Sequence, residues 1–348
     1  MAFMDYVKAL PKVELNLQLE GAIQRTTLAM FADQNEITGT LRHFQQWINL
    51  VDKPDYKRLY EISRMTSTWL KYPEDLARAV YDVGVALAKQ NVRYAEISVS
   101  PSLYETIGLT NDGLLDALND GRERVKKGWG IDLAWIIALY RDEPRKADDY
   151  ARWTTTAFAK RGGVVGLALT GREDSPSVDQ FERPFRNVEK KGVFRVARAG
   201  DALGAEGVMT VIQALAPNRI NDAWGILDSE EVLNIIREQD LTVVVSPGRA
   251  LKHGWVSRYE EFPLRALLDA GIRVVLSAEM PALYQVSLTD EYVNAVEKGG
   301  ISSDELEELG LNAVRASFLE EDAKAALLEQ FRAEYARLRR EMLQTEGS

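Results

Sequence analysis

Residues 11–22, Pro11-Lys12-Val13-Glu14-Leu15-Asn16-Leu17-Gln18-Leu19-Glu20-Gly21-Ala22, alternate between apolar and polar side chains. In an extended chain Leu15, Leu17 and Leu19 point to one side, and Glu14, Asn16, Gln18 and Glu20 to the other. The alternation predicts a β-strand. The opening strand of a long α/β chain is normally covered on both faces, so a row of polar side chains there marks a polar cavity. From Thr26 to about Lys89 apolar residues recur at spacings of three and four, as in Leu76 to Leu87, which predicts helix.

Beyond residue 90, strands and helices alternate. Apolar runs predict strands at Val92 to Ser98 (Tyr94, Glu96 and Ser98 on one face), Ile131 to Leu139, Val164 to Leu169 and Gly192 to Ala197. Further strands are expected at Arg219 to Ala223, Leu241 to Val245 and Ile272 to Leu276. Helices are expected at Asp112 to Lys127, Pro144 to Arg161, Pro184 to Lys191, Ala205 to Ala214, Ser229 to Gln239 and Pro263 to Ala270. The chain is read as helical from Leu288 almost to its end, and the charged stretch Arg172 to Asp179 as a loop.

Eight strands, nearly each followed by a helix and with no linker between them, predict one (β/α)8 TIM barrel over residues 1–348. Extra helices are expected after strand one and at the C-terminus. An open doubly wound sheet is the alternative, but no glycine-rich phosphate-binding signature follows a strand.

Composition narrows the picture. No apolar run approaches a membrane span, and the N-terminus lacks a secretory signal, so a cytoplasmic protein is expected. A formal net charge of −10 argues against nucleic acid as a partner. With no cysteine there are no disulfides and no thiolate chemistry. The two histidines are His43 and His253, both read as ordinary surface or pocket-rim residues.

In a barrel the functional residues sit at the C-terminal ends of the strands. Those ends supply Asn16, Gln18 and Glu20 from strand one, Gly171 from strand four, and Arg198 and Asp201 from strand five. Strand six adds Asp222, strand seven Ser246 and strand eight Glu279. Acids and one guanidinium converging on one mouth point to a small-molecule site.

The sequence resembles the adenosine deaminase family of the amidohydrolase superfamily. Leu10 to Ala22 is similar to the family's opening block, Leu-Pro-Lys-x-Glu-Leu-His-x-His-Leu-Asp-Gly, and Tyr94 to Pro101 to its second-strand block. Val164 to Glu173 resembles the block ending in the glycine that approaches the purine. Arg198-Ala199-Gly200-Asp201 stands where the family has His-Ala-Gly-Glu, and Ser277-Ala278-Glu279-Met280-Pro281 where it has Asn-Thr-Asp-Asp-Pro. Leu311 to Leu319 resembles the late helix.

The resemblance implies a barrel and a nucleoside-like ligand, with Glu20 at the ribose hydroxyls and Gly171 at the purine. It also implies a zinc centre, whose ligand positions read Asn16, Gln18, Arg198 and Glu279 here. The histidine that handles the activated water aligns with Asp222, and the proton-shuttling glutamate with Asp201. The family needs three histidine ligands, and this chain has two histidines, neither at a ligand position. No metal and no cofactor are therefore expected. Glu20, Asp201, Asp222 and Glu279 offer oxygen ligands for a hard cation, but Arg198 beside them argues against one.

The expectation is a metal-independent, hydrolase-type enzyme acting on a nucleoside-like or heterocyclic molecule. Asp222 or Asp201 would be its base, with Arg198 paired to Asp222 or Glu279 or facing the ligand. The alternative is an inactive pseudo-deaminase that binds a nucleoside or regulates a partner.

Overall fold

The computed structural model describes residues 2–175 and 177–343. The single-domain expectation for residues 1–348 thus includes positions 1, 176 and 344–348, which lie outside the described residues. Eight parallel strands follow one another in sequence order around the sheet. They are β1 (Lys12–Gln18), β2 (Val92–Val99), β3 (Asp132–Tyr140) and β4 (Val164–Thr170), then β5 (Phe194–Arg198), β6 (Arg219–Asn221), β7 (Thr242–Val245) and β8 (Arg273–Leu276). Helices lie between them, giving a single (β/α)8 barrel. The extra helices between β1 and β2 include Phe44–Asp52, Leu59–Ser67 and Pro73–Ala88. Leu288–Glu297, Ser303–Arg315 and Glu321–Leu338 follow β8.

Seven adjacent strand pairs form parallel ladders. Among the described residues β8 and β1 form no such ladder. That seam is crossed by one backbone bond, from the Gln18 amide to the Glu279 carbonyl at 2.8 Å.

The opening strand is shorter than its alternation suggests. It ends at Gln18, and Leu19–Ala22 turns into a short helix. Gly21 in that helix packs so closely on Met280 that a β-carbon there would lie 2.2 Å from the Met280 side chain. β6 is also shorter than expected, since Asp222 leaves the extended region with a φ of 66°.

The bottom of the barrel is plugged by Phe318, which stacks on Phe194 with ring centres 4.2 Å apart. The Arg219 guanidinium lies 4.3 Å from the Phe318 ring centre and donates to Glu96 Oε2 at 2.6 Å. Both ion-pair partners are fully buried. Glu96 Oε1 also accepts from the Phe318 amide at 2.5 Å, so the pair holds the plug as well as filling the interior. No helix among the described residues is long and apolar enough to cross a membrane.

Candidate active site at the barrel mouth

One layer above the plug, Asn221 Nδ2 donates to Asn16 Oδ1 at 2.6 Å. Higher still, Gln18 Nε2 donates to Glu279 Oε1 at 3.1 Å and to Thr170 Oγ1 at 3.4 Å, joining β1 to the ends of β8 and β4.

Over this floor lies a cluster of two guanidinium and three carboxylate groups. Arg198 pairs with Glu279 through Nη2, and its Nε lies 3.2 Å from Asp222 Oδ2. Arg249 reaches Asp201 Oδ2 at 2.6 Å, Glu279 Oε2 at 3.1 Å and Asp222 Oδ2 at 3.4 Å. All five side chains are 5% exposed or less. The sequence reading brought Arg198, Asp201, Asp222 and Glu279 together, and the fold does the same. Arg198 pairs with both Asp222 and Glu279.

Arg249 escaped that reading. It lies in the helix Pro247–Lys252, beyond the strand end that Ser246 marks. The sequence signal was available: the first turn of a βα loop also faces the mouth. Ser246 itself is buried, and among the described residues its hydroxyl has no hydrogen-bond partner. Tyr60 was also missed. It comes from the extra helix Leu59–Ser67 and accepts a hydrogen bond from Arg198 Nη1 at 2.7 Å, covering the cluster.

Two further expected site residues lie outside the charge cluster. Glu20 lies past the end of the strand and accepts from the Ser100 amide at 3.3 Å. Burial pushes its carboxyl up to about 7. Gly171, with φ of 99°, makes its close approach to the backbone of Arg141, where a β-carbon would lie 3.3 Å from the amide nitrogen. His43 lines a surface cavity of about 840 Å³ with Trp47, Leu50 and Arg58. His253 stacks on Trp255 at 4.5 Å, and Trp255 lies 4.6 Å from the Arg249 guanidinium. Burial and the nearby arginines depress the His253 imidazole to about 3, so it is neutral at ordinary pH.

The backbone at the site is shaped for these side chains. Asp222 and Glu279 both have positive φ, at 66° and 55°, although neither is glycine. Gly200 has φ of 103°, and a β-carbon there would lie 2.8 Å from Ala223 Cα and from Val208 Cγ2. Glu173 fixes the same loop by accepting from the amides of Gly200 at 2.8 Å, Ala202 at 2.8 Å and Leu203 at 3.0 Å. Gly200→Ala is therefore expected to cost about 1–3 kcal/mol through crowding and strain. Urea unfolding measures it, and an unchanged midpoint would contradict the close approach.

The acids of the cluster differ in their protonation. Burial would raise the Asp201 carboxyl, but Arg249 and Arg198 outweigh it and hold Asp201 down at about 2. For Asp222 burial dominates. With repulsion from Glu279 and Asp201, it overcomes the attraction of both guanidinium groups and lifts the carboxyl to about 7.

The native state thus keeps a proton on Asp222 that the unfolded chain loses near its ordinary value of 3.8. This contribution to stability is complete below that value and is lost as pH rises through about 7. Asp222→Asn carries no such titration. The stability of the natural chain relative to this variant should therefore fall between pH 4 and pH 8. Melting temperatures of both proteins across that range check the sign, and a constant difference would contradict it.

The comparisons with known proteins agree with this architecture. The chain is 30% identical over 333 residues to an adenine deaminase of Rhizobium leguminosarum, covering 92% of this chain and 98% of that protein. Among solved structures, an amidohydrolase from Burkholderia ambifaria with bound zinc superposes with a TM-score of 0.89. The identity is 22%, with coverage of 99% of this chain and 95% of that one. Arabidopsis ADAL in complex with IMP superposes with a TM-score of 0.85 at 20% identity, covering 97% and 99%. At those identities the structures speak for the fold alone. The sequence model "Adenosine deaminase" matches residues 11–334, nearly the whole chain, and the protein belongs to that family.

Proposed function

We propose that this chain is a metal-independent member of its family that acts on a nucleoside-like or nucleobase-like heterocycle at the barrel mouth, with Asp222 as the proton-transfer group. The observation that carries the reading is Asp222 itself. It is fully buried between two guanidinium groups, with its carboxyl lifted to about 7. A group poised near the working pH is best suited to take and return a proton. Arg198 and Arg249 beside it can stabilise negative charge developing on an attacked ring.

The family's zinc does not fit these residues. Zinc takes sulfur, imidazole nitrogen or carboxylate oxygen. Asn16 Oδ1 is engaged by Asn221, and Gln18 presents its amide N–H₂ to Glu279. The Glu279 oxygens face Arg198 and Arg249, and the Arg198 guanidinium repels a cation. No step is routed through a metal.

The name of the Rhizobium leguminosarum relative, an adenine deaminase, supports a purine-type ligand. Asp201 is a weaker candidate base, because a carboxyl held near 2 takes up little proton at neutral pH.

A second reading, a binding protein without turnover, is favoured by one observation. The charges at the mouth pair with one another, and Tyr60 covers them.

Incubating metal-stripped protein with adenine, adenosine and AMP, each of which carries an exocyclic amine, separates the readings. The proposed function expects product formation unchanged by chelator or added zinc. Saturable binding without product supports the binding protein. One tightly held zinc per chain, with activity following zinc content, overturns both.

A further inference from the structure

We infer that Glu14 is a positioning residue that closes the β8–β1 seam of the barrel and, through Ser277, holds Glu279 in the left-handed conformation that presents it to Arg198 and Arg249.

The seam needs such a device because, among the described residues, the backbone supplies only the bond from Gln18 to Glu279. Glu14 is fully buried, and among the described residues it has no cationic partner. Its Oε1 accepts from Ser277 Oγ at 2.6 Å and from the Asn16 amide at 3.0 Å. Its Oε2 accepts from the Ala278 amide at 2.9 Å. One carboxylate thus ties β1 to the segment after β8 where a ladder would otherwise run.

The connection continues one step further. Ser277 Oγ donates its proton to Glu14, so its lone pairs are free to accept, and it accepts from the Glu279 amide at 3.0 Å. Glu279 has a φ of 55°, a conformation that a residue with a side chain holds only when its surroundings fix it. The Glu14–Ser277 relay fixes the amide, and the Gln18 bond fixes the carbonyl. With both ends of the residue set, its carboxylate lies between the two arginines.

Glu14→Gln replaces one acceptor oxygen by a donor and opposes an N–H to the Ser277 hydroxyl or the Ala278 amide. Ser277→Ala removes only the relay, leaving the Ala278 and Asn16 bonds to Glu14. Ser277→Thr restores a hydroxyl.

The readout is the set of side-chain N–H resonances of Arg198 and Arg249 in protein labelled with ¹⁵N-arginine, assigned with Arg198→Lys and Arg249→Lys. In the natural chain these protons sit in buried ion pairs and should exchange slowly. Glu14→Gln and Ser277→Ala should shift the signals and speed their exchange roughly tenfold or more, the expected result of local opening. Ser277→Thr should return both to their natural positions.

If Glu14→Gln and Ser277→Ala lower the melting temperature but leave the arginine signals and their exchange untouched, Glu14 is only a structural seam and the inference falls. If Glu14→Gln fails to fold, Ser277→Ala against Ser277→Thr decides alone. No turnover enters the measurement, so its outcome is independent of whether Asp222 transfers a proton.

Discussion

Replacing Arg249 by methionine is expected to lower the stability of the protein by about 3–5 kcal/mol, the usual cost of removing one partner from a buried ion pair. Methionine fills much of the same volume, so little of the loss comes from packing. The cost is electrostatic. Among the described residues Arg249 is the only ion-pair partner of Asp201, and it shares Asp222 and Glu279 with Arg198. Without it, Asp201 has no ion-pair partner among the described residues, and Asp222 and Glu279 share a single guanidinium. Neutralising the most exposed debt should recover part of the loss, so Arg249→Met with Asp201→Asn should be more stable than Arg249→Met alone.

The pH dependence identifies the cause. Asp201 is held at about 2, below its ordinary 3.8, so its contribution is present above 3.8 and lost as pH falls through about 2. The cost of Arg249→Met should therefore be largest at neutral pH and shrink towards pH 2. Urea unfolding at pH 7 and at pH 3 measures both. A loss below about 1 kcal/mol at pH 7, typical of exposed pairs, would mean that the cluster is solvated in solution.

Asp222→Asn addresses the chemistry. If Asp222 moves the proton, the variant should lose about 10²–10⁴-fold in turnover, the usual contribution of a general acid–base group. The fold should persist, since asparagine matches the neutral carboxyl in shape and still offers an oxygen to Arg198 and Arg249. Asp201→Asn should behave differently, lowering stability more and the proton-transfer rate less. Circular dichroism and single-turnover assays on the same preparations distinguish the two. Undiminished turnover in Asp222→Asn would remove Asp222 from the mechanism.

Much of the barrel was legible because buried parallel strands are short apolar runs and their helices carry spacings of three and four. The boundaries were less so. The alternation Leu17-Gln18-Leu19-Glu20 runs straight through the end of β1, although the chain turns into helix at Leu19. Glu20 accordingly lies in the short helix that follows and not on the strand.

The acids of the mouth could be found because each lies at or just past a strand end. Arg249 sits on a helix, where an arginine looks like any solvated residue, and Tyr60 arrives from an insertion whose docking no local pattern encodes. Glu14 was visible as a polar residue on the opening strand. Its task at the seam was not, because that depends on a strand more than 250 residues away.

The hydroxyl of Tyr60 rests on Arg198, over a cluster whose members are all 5% exposed or less. If a molecule reaches those groups only once the tyrosine has swung aside, it binds only the chains that are open at that moment. Its apparent affinity is then the intrinsic one reduced by the fraction of molecules already open. At high concentration the rate of association would cease to rise and would report the swing of one side chain, whatever the molecule happened to be.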